Sequence, residues 1–327
     1  MHVWFLDTVH PALQERLEGA GMTCHDGTSM TTEALIEQAH SGSPPVQGIV
    51  IRSRLTLDQA LLSQLPQLEW IARSGSGLEN IDTAWCQVHG ILVHSSPEGN
   101  RDAVGEHTTG MLLSLLHKLH LGHASVRSGE WLREDHRGRE LQHLTVGIIG
   151  YGPMGSAFAE RLAGFGCSVL AYDKHKPGWG DHPTVDKPLP HVQPVGESTL
   201  REACDVVSLH LPWTQETSGL VDGPWLQSWQ KPFILLNTSR GGIVQSKALV
   251  EALENGTVLA AGLDVLEHEA RSLESMGASN HEQRQTLEAL LCDDRVMITP
   301  HVAGWTQESL VRLSTVLADK ILAQGKT

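Results

Sequence analysis

Apolar residues in this chain fall into short, nearly continuous runs separated by stretches with helical spacing. In the first hundred residues the runs lie at 2–6, 48–53, 69–74 and 91–95, and residues 11–20 read as a helix. Short apolar runs alternating with helix-compatible sequence predict an open parallel α/β unit. After Pro97, Glu98, Gly99 and Asn100, segment 102–128 places Val104, Met111, Leu112, Leu115, Leu116 and Leu119 at helical spacing, which predicts one long helix crossing between domains. A second series follows at 145–150, 168–173, 206–211, 233–239, 259–265 and 296–299. Its core runs are almost uninterruptedly apolar, as a parallel sheet buried on both faces requires. Segment 304–327 predicts a last amphipathic helix through Leu310, Leu313, Val316, Leu317 and Ile321. That helix is expected to pack back on the N-terminal domain and so make it discontinuous. The Pro-, Gly- and His-containing stretches 175–194 and 267–281 read as loops.

Length agrees with this division, because 327 residues exceed what one core comfortably organises and 40% hydrophobic residues suffice for two. The expected fold is α/β with two doubly wound parallel-sheet domains, residues 1–98 plus 303–327 forming one and 99–302 the other. A formal net charge of -14 repels phosphate backbones and no basic run offsets it, so nucleic acid is not an expected partner. The chain has no signal-like N-terminus and no long apolar run, so no membrane association is expected. Five scattered cysteines without a Cys-x-x-Cys pair suit free thiols in a reducing cytoplasm and argue against a metal framework.

The apolar run ending at Ile149 leads directly into Gly150-Tyr151-Gly152-Pro153-Met154-Gly155 and then a helical stretch. In a strand-turn-helix of this kind the first glycine permits the tight turn and the second admits a pyrophosphate to the backbone. The third allows close helix packing, and the helix N-terminus supplies partial positive charge. Asp173 ends the next strand, where a carboxylate accepts ribose hydroxyls and repels a 2′-phosphate, so NAD is expected over NADP although Lys174 and Lys176 stand beside it. Hydride transfer at a hydroxyl-bearing carbon further needs a proton acceptor and a cation for a substrate carboxylate. His301, Arg240 and Glu269 follow successive strands at the ligand edge of the second domain. A carboxylate beside an imidazole fixes its tautomer, so Glu269 and His301 make a workable proton relay.

These residues sit in a set of motifs that resembles the D-isomer specific 2-hydroxyacid dehydrogenases over nearly the whole chain. The resemblance rests on Arg73-Ser74-Gly75-Ser76-Gly77 with Asn80-Ile81-Asp82, Gly99-Asn100 with Glu106-His107, and Val146 to Gly155. It continues through His210-Leu211-Pro212 with Thr217, Asn237 to Gly242, Ala261 to Val265 with Glu269, and Thr299 to Gly304. It implies a Rossmann-type NAD domain inserted into a flavodoxin-like substrate domain, with a homodimer formed through the helix after Asn100. It also implies Arg240 as the carboxylate clamp, His301 as acid/base and Glu269 as its orienting carboxylate. Cofactor-lining positions would be Gly150, Tyr151, Gly152, Pro153, Met154, Gly155, Asp173, His210, Leu211, Pro212, Thr217, Thr238, Ser239, Asp264, Ala303 and Gly304. Two departures stand out: Ala270 follows Glu269 where the family usually has proline, and the stretch from there to His301 is longer than is common. Glu267 is therefore a second candidate for the orienting carboxylate. No regulatory domain follows the last helix, so allosteric control of that kind is not expected.

Substrate selection is expected from Arg52, Arg54 and Arg73 around the loop Ser74-Gly75-Ser76-Gly77, since two or three guanidinium groups hold a second anionic group through bidentate bonds. That ranks 3-phosphoglycerate first among small 2-hydroxy acids, in the reaction giving 3-phosphohydroxypyruvate. Glyoxylate or hydroxypyruvate reduction and erythronate-4-phosphate oxidation are alternatives. An NAD-sensing corepressor-like protein is the alternative from another class. Formate dehydrogenases pair the histidine with glutamine, so Glu269 argues against that chemistry.

Overall fold

The computed structural model describes residues 1–176, 188–269 and 277–324. Parts of both stretches read as loops, including Ala270, lie outside the described residues. The chain forms two compact units, Met1–Arg101 with Trp305–Thr327, and Asp102–Gly304.

In the first unit, strands β1 (His2–Phe5), β2 (Thr23–Asp26), β3 (Gly48–Ile51), β4 (Trp70–Arg73) and β5 (Leu92–Ser95) alternate with helices α1 (Ala12–Gly19), α2 (Thr32–Ser41), α3 (Gln59–Leu62) and α4 (Thr83–Val88). Thr31, Asp58 and Asp82 cap α2, α3 and α4 by accepting amide hydrogen bonds, which accounts for where those helices start. All strands pair in parallel in the order β2-β1-β3-β4-β5, the flavodoxin-like arrangement. Alternate residues divide between two cores: Ile49, Ile51 and Ile71 enter one, while Val50, Trp70 and Ala72 enter the other. The second core also takes Leu13 and Leu17 of α1 and Leu317, Ala318 and Ile321 of the C-terminal helix, which therefore covers this sheet.

Helix α5 (Pro97–Leu116) begins five residues before the apolar spacing announces it, and it does not continue to residue 128. Lys118 adopts a left-handed conformation at φ 50° and starts a separate helix, α6 (Leu119–Arg127). The sequence expectation of one helix fails here because the apolar spacing carries on across the break and neither glycine nor proline marks it.

The second unit contains β6 (Thr145–Ile149), α7 (Pro153–Leu162), β7 (Ser168–Tyr172), β8 (Val192–Pro194), α8 (Glu197–Ala203), β9 (Val206–Leu209), α9 (Gly223–Gln227) and β10 (Phe233–Asn237). It continues through α10 (Ser246–Glu254), β11 (Val258–Leu263), α11 (His281–Cys292) and β12 (Val296–Ile298), before α12 (Gln307–Gln324) returns to the first unit. Its seven parallel strands run β12-β11-β10-β9-β6-β7-β8, the doubly wound order of dinucleotide-binding domains. Phe233 and Leu235 enter one core and Ile234 and Leu236 the other, so each sheet face is dry. Two edge strands, β2 and β8, were not anticipated. Neither is an apolar run, because an edge strand buries fewer side chains and signals itself less.

Candidate active site

Every strand of the second sheet points the same way, so the residues that follow them gather at one edge. The order reverses between β6 and β9, where Ile149 registers with Leu209, and the next residues on those strands are Gly150 and His210. That reversal is where open α/β sheets bind ligands. Gly150 takes φ +89°, and a Cβ there would come within 2.4 Å of the His210 carbonyl oxygen, so only glycine turns the chain at this point. Gly155 is required by packing, since its Cβ would lie 2.0 Å from the Gly150 carbonyl oxygen. At Gly152 a Cβ would meet nothing in the chain within 4 Å. Pro153 opens α7 at its first turn, where a missing N–H costs nothing, and no side chain caps the amides behind it.

Asp173 lies at the end of β7 beside this turn. One of its carboxylate oxygens accepts the Tyr151 amide at 2.9 Å and the other accepts the His175 amide at 3.0 Å. Lys176 donates to the Tyr151 carbonyl at 2.8 Å and Lys174 pairs with Glu216, so both lysines beside Asp173 are engaged within the chain. His210 Nε2 bonds Ser208 Oγ at 2.9 Å, while Nδ1 is buried without a partner. Burial pushes the His210 pKa down to about 3, so the ring is neutral at physiological pH. Thr217 braces its own loop, its hydroxyl donating to Pro212 O at 2.6 Å and its oxygen accepting the Thr214 amide at 2.9 Å. Leu211 is partly buried and packs against the core.

The three residues expected to do chemistry follow β10, β11 and β12. Ser239 is buried and donates its hydroxyl to Asn237 Oδ1 at 2.8 Å, and Asn237 Nδ2 in turn donates to the Arg240 carbonyl at 3.0 Å. This closes the turn that presents Arg240, whose Nη1 donates to the Ser239 carbonyl at 2.6 Å. Thr238 meets the Thr108 hydroxyl of α5 at 3.0 Å. His301 Nδ1 lies 3.0 Å from Glu269 Oε1, and both side chains are mostly buried. Glu267, the other candidate, is spent elsewhere: its Oε2 accepts the Ser246 amide at the start of α10 at 2.7 Å. The carboxylate at Glu269 therefore accepts from Nδ1–H, which leaves Nε2 of His301 as the proton-accepting nitrogen.

His301 holds φ 54°, a left-handed conformation that costs a non-glycine residue roughly 1–2 kcal/mol. Its amide donates to the Asp264 carbonyl at 2.9 Å, and the buried Asp264 side chain accepts the amides of Val302 at 2.9 Å and Ala303 at 2.8 Å. Asp264, expected from the family pattern to line the cofactor, thus also fastens the turn that carries His301 and leads to Gly304.

Arg52, Arg73 and Ser74-Gly75-Ser76-Gly77 belong to the first unit. The Arg52 amide donates to Asp7 at 2.6 Å, and its guanidinium stacks on Trp305, 4.1 Å from the ring centroid. Burial lowers the Arg52 pKa and Asp7 opposes that shift. Arg73 folds over Gly75 and donates from Nε to the Arg52 carbonyl at 3.3 Å, so the two arginines are neighbours. Arg54 is not part of this pair. Its guanidinium donates to the carbonyls of Leu6, Gly27 and Met30 and ties three segments together. The sequence assigns Trp305 no role beside Arg52, although the stretch Ala303-Gly304-Trp305-Thr306 resembles the corresponding one of erythronate-4-phosphate dehydrogenases. Among the described residues no group of three or more His, Cys, Asp or Glu could hold a metal.

Residues 109–303 match the sequence model of the "D-isomer specific 2-hydroxyacid dehydrogenase, NAD binding domain". The chain is 33% identical over 309 residues to D-3-phosphoglycerate dehydrogenase of Archaeoglobus fulgidus, covering 94% of this chain and 54% of that protein. It is 32% identical over 281 residues to hydroxypyruvate reductase of Thermotoga maritima, covering 86% of this chain and 85% of the relative. The structure of D-lactate dehydrogenase from Aquifex aeolicus, complexed with NAD and lactic acid, superposes with a TM-score of 0.80 at 28% identity, covering 100% of this chain and 96% of that one. The chain spans about half the length of the curated phosphoglycerate dehydrogenases it matches.

Proposed function

Since the chain belongs to the D-isomer specific 2-hydroxyacid dehydrogenases, we propose that it interconverts a small D-2-hydroxy acid and its 2-oxo acid using NAD, with 3-phosphoglycerate and 3-phosphohydroxypyruvate as the first candidate pair. The observation that carries the reaction is the 3.0 Å pair of His301 Nδ1 and Glu269. NAD supplies the hydride acceptor for C2 of the hydroxy acid. His301 Nε2 takes the hydroxyl proton as the carbonyl forms, and Glu269 stabilises the imidazolium that results. Arg240 binds the substrate carboxylate. Reduction runs the same steps backwards.

The residues present suit NAD. Gly152 leaves room for a pyrophosphate at the start of α7, Asp173 ends β7 beside the turn as a carboxylate for ribose hydroxyls would, and the buried His210 Nδ1 has an unmet hydrogen bond beside the turn. Engagement of Lys174 and Lys176 within the chain favours NAD over its 2′-phosphorylated form. The unit Asp102–Gly304 would take the cofactor. The neighbouring Arg52 and Arg73 support an acid with a second anionic group. Reduction of hydroxypyruvate or glyoxylate is the second reading, favoured by the match along nearly the whole length of the Thermotoga maritima hydroxypyruvate reductase. Exposed Leu119, Val126, Trp131 and Leu132, in and just after α6, support a homodimer. Five free cysteines suit a reducing cytoplasm. No helix among the described residues is long and apolar enough to cross a membrane.

The test is NADH oxidation with phosphohydroxypyruvate, hydroxypyruvate and glyoxylate. Turnover of the phosphorylated acid at the highest kcat/KM supports the first reading, and preference for the smaller acids the second. No turnover with any of them, together with tight NADH binding, would replace the enzyme with an NAD-sensing protein.

A further inference from the structure

Glu106-His107 and Thr299 belong to the motifs that mark the family, yet the chemistry above leaves them without a task. The fold brings His107 of α5 and Thr299 at the end of β12 together. His107 Nε2 lies 3.0 Å from Thr299 Oγ1, and the Thr299 hydroxyl donates to Asp264 Oδ1 at 2.5 Å. Because Thr299 has one hydroxyl proton and spends it on Asp264, its oxygen accepts from His107, which fixes the Nε2–H tautomer of that imidazole. The chain of donors thus runs from His107 through Thr299 to a carboxylate that is 1% exposed. Asp264 passes the same constraint on to the amides of Val302 and Ala303, which flank His301 directly or one residue on. His107 Nε2 is also only 3.6 Å from Asp264 Oδ1.

From this relay we infer that His107 and Thr299 are positioning residues for the acid/base: they hold Asp264 in the one orientation that keeps the 299–303 turn closed and His301 in its left-handed conformation against Glu269. Among the described residues the amide of His301 donates to the carbonyls of Asp264 and Thr299, at 2.9 and 3.0 Å, and both belong to residues of the relay, while the Thr299 amide ties the start of the turn to the Leu263 carbonyl at 2.9 Å. A left-handed histidine persists only where its surroundings over-determine it. Without the His107 N–H, Thr299 can turn its hydroxyl away from Asp264, and the flanking amides lose the fixed acceptor that opposes relaxation of His301. The consequence falls on proton transfer more than on the binding of the oxo acid.

The inference rests on His301 being the acid/base, and the experiment keeps the two apart. Steady-state kinetics of the folded full chain, with folding checked by circular dichroism, compares His107→Phe, His107→Gln, Thr299→Val, Thr299→Ser and His301→Ala. Expected is a loss of about tenfold or more in kcat for His107→Phe and Thr299→Val, with KM for the oxo acid moving less than about threefold, as for an interaction that matters in the transition state. Glutamine places an N–H near the Nε2 position and serine keeps the hydroxyl, so both conservative variants should stay within about threefold of the parent kcat. Wild-type kcat in His107→Phe, or His107→Gln as impaired as His107→Phe, overturns the relay. Retained turnover in His301→Ala overturns the reading of the active site itself.

Discussion

Gly155→Ala and Gly152→Ala, three residues apart in one loop, should fail in different ways. At Gly155 the new methyl would sit 2.0 Å from the Gly150 carbonyl oxygen. Close carbon–oxygen contacts stand about 3.3 Å or more apart, so more than an ångström must be found between two pieces of backbone, the turn and the first turn of α7. Neither can swing aside as a side chain would. Overpacking typically costs ~1–3 kcal/mol, and with no flexible atom to yield the upper end applies. For a folding unit the size of Asp102–Gly304 about 3 kcal/mol corresponds to a fall of roughly 6–12 °C in Tm. NADH binding should fall with it, because the turn itself is displaced. At Gly152 the methyl meets nothing in the chain and φ is -84°, so the fold loses only the modest preference of a helix N-cap for glycine over alanine, up to about 1 kcal/mol. If a pyrophosphate approaches the backbone here as proposed, the methyl stands in its way and NADH affinity should still drop tenfold or more, which is about 1.4 kcal/mol. Melting curves followed by circular dichroism and fluorescence titration with NADH measure both quantities. A Gly155→Ala protein with parental Tm and NADH affinity, or a Gly152→Ala protein that binds NADH normally, would refute the division of roles.

Glu269→Gln keeps an acceptor for His301 but removes its charge. The difference between a charge-assisted and a neutral hydrogen bond, ~1–2 kcal/mol, predicts a 5- to 30-fold fall in kcat with little change in KM; kcat within twofold of the parent would exclude a charged role. Trp305→Ala removes the platform under Arg52, worth ~0.5–2 kcal/mol, and should raise KM for phosphohydroxypyruvate about 2- to 30-fold while leaving glyoxylate unaffected. Equal effects on both substrates would show that the pair does not read the distal anion. His210 titrates near 6.5 when unfolded and at about 3 when folded, so the unfolded state binds more protons between those values and stability must fall as pH drops through that window. Its contribution is at most about 1.4 kcal/mol per pH unit, and urea unfolding between pH 6 and 4 should show a shallower pH dependence in His210→Asn; equal slopes would place the effect elsewhere. Trp131 is 76% exposed, and Trp131→Glu should convert a dimer to monomer in light scattering if this face is the contact; an unchanged mass would place the interface elsewhere.

The positions of the candidate site residues were legible in the sequence because those residues follow strands, and strands in a doubly wound sheet are local apolar runs. Gly150, Asp173, Arg240 and His301 could each be placed at the ligand edge from the run preceding it. What did not show was the allocation of partners. Glu267 and Glu269 are two residues apart and chemically alike, and only the start of α10, which takes the first, leaves the second for His301. Arg52 and Arg54 are equally close, and one braces three carbonyls while the other stacks on an aromatic ring far along the chain. His107 and Thr299, separated by 192 positions, could be paired by no local rule.

The sequence by itself determined that this is a pair of parallel α/β sheets, that a dinucleotide turn opens the second, and which residue types stand at its edge, because apolar period, glycine placement and strand ends are properties of a few neighbouring residues. Tertiary structure alone decided which carboxylate faces the histidine, which arginine stacks on an aromatic ring and which is spent on carbonyls, where the long helix breaks, and how an aspartate holds a left-handed histidine. Those outcomes depend on which distant group reaches a hydrogen-bond partner first, and chain separation carries no record of that.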